Sequence, residues 1–116
     1  MPGNHTTSSV FARRLKQARL RSGLTQEQLG IHAGIDEFSA SARINQYERG
    51  KHMPHLAMGQ RLARALHVPT SFLYEEDDLL AALLVTAAGL TRGKKKILLA
   101  NAETLTQLTS TTRKTK

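Results

Sequence analysis

The sequence predicts an all-α fold, and three observations predict it. Apolar residues recur at i, i+4, i+7 in Phe11, Leu15 and Ala18, and again in Ala40, Ile44 and Tyr47, which is the period of one helix face. Thr25 is followed three residues later by Gln28, a pairing in which hydroxyl and amide satisfy each other's backbone donors at a helix start. No stretch reads as a strand, and no internal repeat is present.

Taken in order, residues 1–8 read as a disordered N-terminus. Ser8 or Ser9 is expected to cap a first helix that ends near Ser22 and Gly23, since glycine suits the left-handed position after a helix. The second helix starts at Thr25, buries Leu29 and Ala33, and stops at Gly34, with Ile35 anchoring the turn. "IDEFSAS" leads to the third helix. Ser39 is its expected cap and Ser41 the alternative, with Phe38 packed under the turn. That helix, residues 39–48, ends at Gly50. "KHMPH" is a loop, and Pro54 suits the approach to a fourth helix carrying Leu56, Leu62, Ala63 and Leu66. "TSFLY" opens a fifth element with Phe72 and Leu73 in the core. After Tyr74 the character changes. Four carboxylates, "EEDD", precede "LLAALLVTAAGL", where the dipole of a helix start favours them. That run is apolar almost all round and needs cover on several sides. "TRGKKK" breaks it, and "ILLANAETLTQL" forms a last helix with Ile97, Leu98, Leu105 and Leu108 apolar.

The chain has 116 residues and no cysteine, with 17 Lys/Arg against 9 Asp/Glu and a net charge of +8. The absence of cysteine excludes disulfides and thiolate metal sites. The excess of base is concentrated in residues 1–70, with 10 bases to 4 acids, and such a balance draws a chain toward polyanions. The longest apolar run, Leu79–Leu90, is interrupted by Thr86 and Gly89 and falls short of the ~20 residues of a membrane helix. "MPGNHTTSS" lacks the apolar stretch of a secretion signal. A soluble, cytoplasmic protein is expected.

The third helix carries the chemistry. Opposite Ala40, Ile44 and Tyr47 lie Ala42, Asn45, Gln46 and Arg49, flanked by Ser41 and Arg43, with no carboxylate until Glu48. An ordinary solvated face would mix Glu with Lys. A short capped helix, a glycine turn and a helix with one polar face form a helix-turn-helix plan. On this plan the second helix fits a major groove about 12 Å wide, where paired donors and acceptors discriminate bases.

The stretches "LTQEQLGIHAGI" and "INQYERGK", with "LARALHVP" after them, resemble the Cro/phage-repressor (XRE-type) helix-turn-helix family of transcriptional regulators. The likeness spans roughly Phe11–Tyr74. It implies a five-helix repressor-like domain over residues 9–74, to which the residue pattern adds C-terminal helices over 75–108 and a basic flexible tail over 109–116. It further implies base-reading roles for Ser41, Ala42 and Gln46, with Arg43 and Asn45 flanking them. Thr25 and Gln26 would meet the DNA backbone from the second helix, Gln26 also bracing the recognition helix, and Lys51 and His52 would meet it from beyond the third. Arg19 and Glu48 match the family's internal ion pair. The chain departs from the family pattern between Ile35 and the third helix, where it is longer by roughly "DEFS". If those residues extend the helix N-terminally, Ser39 and Ala40 become its tip.

Competing functions find little support. His52 and His55 have metal-ligand spacing but no further ligand nearby, so no metal or cofactor is expected. No Ser–His–Asp arrangement or glycine-rich phosphate loop supports an enzyme. With no tryptophan and 4% aromatics, a stacking platform for single strands is lacking. The expected function is a dimeric repressor of double-stranded DNA operators, with residues 79–108 holding the homodimer. The alternative is an antitoxin-type module whose residues 79–108 bind a partner protein, with DNA binding for autoregulation.

Overall fold

A computed structural model of the chain describes the backbone of residues 7–114 and the side chains of residues 9–108. The expected disorder of the N-terminus falls largely outside the described residues, as do the last two residues of the basic tail. Among the described residues the fold is all-α: α1 (Thr7–Ser22), α2 (Gln26–His32), α3 (Glu37–Glu48), α4 (Leu56–Leu66), a 3₁₀ turn (Thr70–Tyr74), α5 (Asp78–Ala88) and α6 (Arg92–Lys114). The fifth element of the repressor-like arrangement is thus a single 3₁₀ turn. No helix of the described residues is long and apolar enough to cross a membrane.

The chain divides into two compact units, the first ending at Val85 and the second beginning at Thr86. In the first unit, Phe11 and Leu15 of α1, Leu29 of α2, Ile44 of α3, Leu62 of α4 and Leu73 of the 3₁₀ turn are fully buried. Ala81 of α5 joins them, and Val85 packs against the cluster. The first unit therefore takes in the start of α5 as well as residues 9–74.

Four expectations are corrected. α1 begins at Thr7, so Ser8 and Ser9 lie inside its first turn rather than capping it. α3 begins at Glu37, because Asp36 rather than Ser39 or Ser41 is the cap, its Oδ2 accepting from the Phe38 amide at 3.0 Å. Of the four extra residues Asp36 is the cap and the other three lengthen the helix, and Phe38 stands 92% exposed instead of packing under the turn. Finally, "TRGKKK" does not interrupt the helices beyond Thr91. The Thr91 hydroxyl accepts from the Lys94 amide at 3.2 Å, and Arg92–Lys96 form the first turn and more of α6.

Arg14 was not singled out by sequence, since a charged side chain inside a helix pattern usually faces water. Here it is buried and ties the end of the domain to α1. Its Nε donates to the Glu75 carbonyl at 2.8 Å and its Nη2 to Asp78 Oδ1 at 2.9 Å. Its guanidinium also lies 5.6 Å from the Phe72 ring centre. The Arg13 guanidinium, 3.0 Å from the same carboxylate, and then that of Arg14 hold Asp78 below the usual carboxylate range. Asp77 caps α5, its Oδ1 accepting from the Leu80 amide at 2.9 Å.

α5 is covered on one side only: Ala81 is buried, whereas Leu79 is 74% exposed, with Leu80 and Leu83 also exposed. In the second unit, α6 carries exposed Ile97, Leu98 and Leu99 after a basic first turn.

Candidate nucleic-acid interface

The interface is built on α2 and α3. The Thr25 hydroxyl accepts from the Gln28 amide at 3.0 Å, and Gln28 Oε1 accepts from the Thr25 amide at 2.9 Å. This reciprocal cap starts α2 without help from the rest of the fold. α2 ends at His32 with Ala33 as its C-cap, and Gly34 after it, φ 90°, turns the chain toward α3, a conformation that costs a side-chain-bearing residue. Gly30 makes the close approach of the two helices possible. A Cβ there would lie 2.7 Å from the Ala40 Cβ and 3.1 Å from the Ala40 carbonyl oxygen, so there is no room for a side chain between the two helices.

The roll of α3 is set by Ala40, Ile44 and Tyr47, all buried. Successive residues of an α-helix turn by about 100°, so the opposite side is fixed. Ser41, Ala42, Arg43 and Gln46 are exposed there and on its flanks, and Asn45 is half-buried. The five base-reading candidates therefore share one continuous surface. Arg43 is held over Tyr47, donating to its hydroxyl at 2.8 Å with the guanidinium 5.9 Å from the ring centre. It lines a shallow open groove with Gln46, His52 and Met53.

Gln26 links α2 to this surface. Its Nε2 donates to Asn45 Oδ1 and to Glu48 Oε1, both at 3.2 Å. Both amide hydrogens are thereby committed to bracing α3. Glu48 is 2% exposed at the side chain, and Arg19, 11% exposed, grips it with two donors: Nε at 2.5 Å and Nη2 at 3.1 Å. The third nitrogen of Arg19 donates to the Leu24 carbonyl at 3.0 Å. One guanidinium thus joins the end of α1, the loop before α2 and the end of α3.

α3 ends in a left-handed turn at Gly50, φ 72°, with the Lys51 amide returning to the Gln46 carbonyl at 2.9 Å. This turn places Lys51 and His52, both exposed, directly after the helix. His55 serves the fold, as its Nδ1 accepts from the Met58 amide at 3.2 Å and caps α4. No group of three or more metal-ligating side chains occurs among the described residues.

Sequence reasoning missed two features of this surface. Phe38 was hidden by the expectation that a large aromatic residue near a turn is buried. Gly30 did carry a signal, being a glycine inside a short helix, where it weakens the helix unless close packing requires it.

Known proteins match this arrangement. The helix-turn-helix domain family matches residues 10–71. An uncharacterized HTH-type transcriptional regulator of Methanothermobacter thermautotrophicus is 33% identical over 66 residues, which are 54% of this chain and 90% of that protein. The crystal structure of the transcriptional regulator BswR superposes with a TM-score of 0.75 at 47% identity, covering 80% of this chain and 92% of that one.

Proposed function

Because this chain belongs to the helix-turn-helix domain family, we propose that it is a DNA-binding transcriptional regulator of the Cro/phage-repressor type. On this reading it is a dimeric repressor that reads the major groove of double-stranded operators with the outer face of α3. The observation that carries the reading is the composition of that face. Ser41, Arg43, Asn45 and Gln46 offer hydroxyl, guanidinium and amide groups on a helix whose roll is held by three buried residues and by Gln26. Amides pair with adenine through two hydrogen bonds, and guanidinium with guanine, each worth about 1–3 kcal/mol of discrimination. Lys51 and His52 beside the helix would meet phosphates, as would the start of α2 at Thr25 and Gln26 through the backbone amides of Gln26 and Glu27, since those of Thr25 and Gln28 close the cap. The names of the two similar proteins, both transcriptional regulators, agree with this role.

The exposed Leu79, Leu80 and Leu83 of α5, and Ile97–Leu99 of α6, support the dimer. Apolar surface left over by a small domain is what an assembly covers. The repressor acts in the cytoplasm by occupancy and needs no cofactor.

Selection of bound duplexes from a random pool tests this. The expected product is a two-fold motif whose half-sites lie about one DNA turn, ~34 Å, apart, with the purified chain sedimenting as a dimer. Equal, weak retention of every duplex would refute the reading. A monomer that selects single half-sites and dimerises with nothing would shift residues 79–108 to a partner protein.

A further inference from the structure

Phe38 is the most exposed large apolar side chain of the first unit, at 92%. It sits at the second position of α3, its amide held by the Asp36 cap. At 100° per residue, Phe38, Ala42 and Asn45 form one row, i, i+4, i+7. That row lies opposite the buried Ala40, Ile44 and Tyr47. Phe38 thus heads the same face that carries the amides. The fold does not use its ring.

We propose that Phe38 is a specificity-determining residue that reads the C5-methyl group of a thymine, with Ala42 continuing the same apolar strip. The inference rests on the DNA-binding reading above. The chemistry narrows the ligand. A helix entering the major groove presents its N-terminal residues to base edges, and the apolar group displayed on that floor is the thymine methyl. The tip is not built for phosphate: Asp36 and Glu37, both exposed, immediately precede Phe38 and would repel a phosphate there. Ala42 follows about 6 Å along the axis, close to two base-pair steps at 3.4 Å each. Next comes Gln46, whose amide suits adenine, while the Asn45 oxygen is taken by Gln26. Apolar and amide groups together describe a half-site rich in A·T pairs, with thymine under the tip of α3.

The test replaces each thymine of the selected duplex by deoxyuridine, which removes the methyl and nothing else. With the full chain, one thymine per half-site should show about a fourfold loss of affinity, the worth of one buried methyl. Phe38→Ala should bind thymine and uracil equally at that position while still distinguishing the other bases, and Phe38→Leu should keep part of the difference. The exposed ring makes both variants fold as the parent does, which thermal melting checks. Equal thymine-to-uracil ratios for the parent and Phe38→Ala at every position would overturn the inference. So would loss of the dimer in Phe38→Ala with those ratios unchanged. Recovery of no preferred duplex at all would instead remove the DNA-binding reading itself, and the inference with it.

Discussion

Arg19→Ala is expected to lower the unfolding free energy by about 3–5 kcal/mol, because it strands a buried carboxylate. Glu48 is 2% exposed at its side chain, and without Arg19 it keeps only the Gln26 amide as a side-chain partner. Against a total of about 5–15 kcal/mol for a domain, that loss brings the protein close to unfolding. Glu48→Ala should cost less, since Arg19 retains the Leu24 carbonyl and is itself nearer water. Replacing both together by apolar residues of similar volume should be nearly neutral, as buried ion pairs often are. Urea denaturation separates these cases: a fall in midpoint at constant slope reports stability alone. A midpoint for Arg19→Ala equal to that of the parent would mean that the pair contributes nothing.

The second large effect is on binding. A dimer that neutralises ~6–10 phosphates should lose about 10³–10⁵ in affinity between 50 and 200 mM salt. The chain has the charge for it, with a net +8. The first unit presents Arg43, Arg49, Lys51 and His52 on and just beyond α3. Titrations of one duplex across that salt range would give a log–log slope of roughly −5 to −9. A slope near zero would mean that phosphates are not the source of affinity.

What the sequence made legible was whatever depends on neighbours along the chain. The Thr25–Gln28 cap is closed by residues three apart, and the glycine after α2 reverses the backbone by its own φ. The stripes of Phe11, Leu15 and Ala18 and of Ala40, Ile44 and Tyr47 marked the core because burial follows helical period. The start of α3 was less legible, for two reasons. Asp36, Ser39 and Ser41 are all competent caps, and the choice among them depends on where the turn from Gly34 delivers the chain. The phenylalanine at position 38 also suggested burial. Burial of apolar residues is a one-way rule, and Phe38 stands exposed. Arg14 was illegible for the opposite reason: its partners, the Glu75 carbonyl and Asp78, lie some sixty residues away. The bracing of α3 by Gln26, by contrast, was implied by the family resemblance, and its partners Asn45 and Glu48 are seen once α3 is laid beside α2.

The account turns on Gln46 and its neighbours touching base edges, and base preference in Gln46→Ala measures this most directly. Binding of the parent and the variant should be compared across every single-base change of the selected site, at fixed salt. The account predicts lost discrimination at one base pair in each half-site, by about 1–3 kcal/mol, with preferences elsewhere and the salt slope unchanged. An identical preference profile in the two proteins, or a loss spread evenly over all sequences, would contradict it.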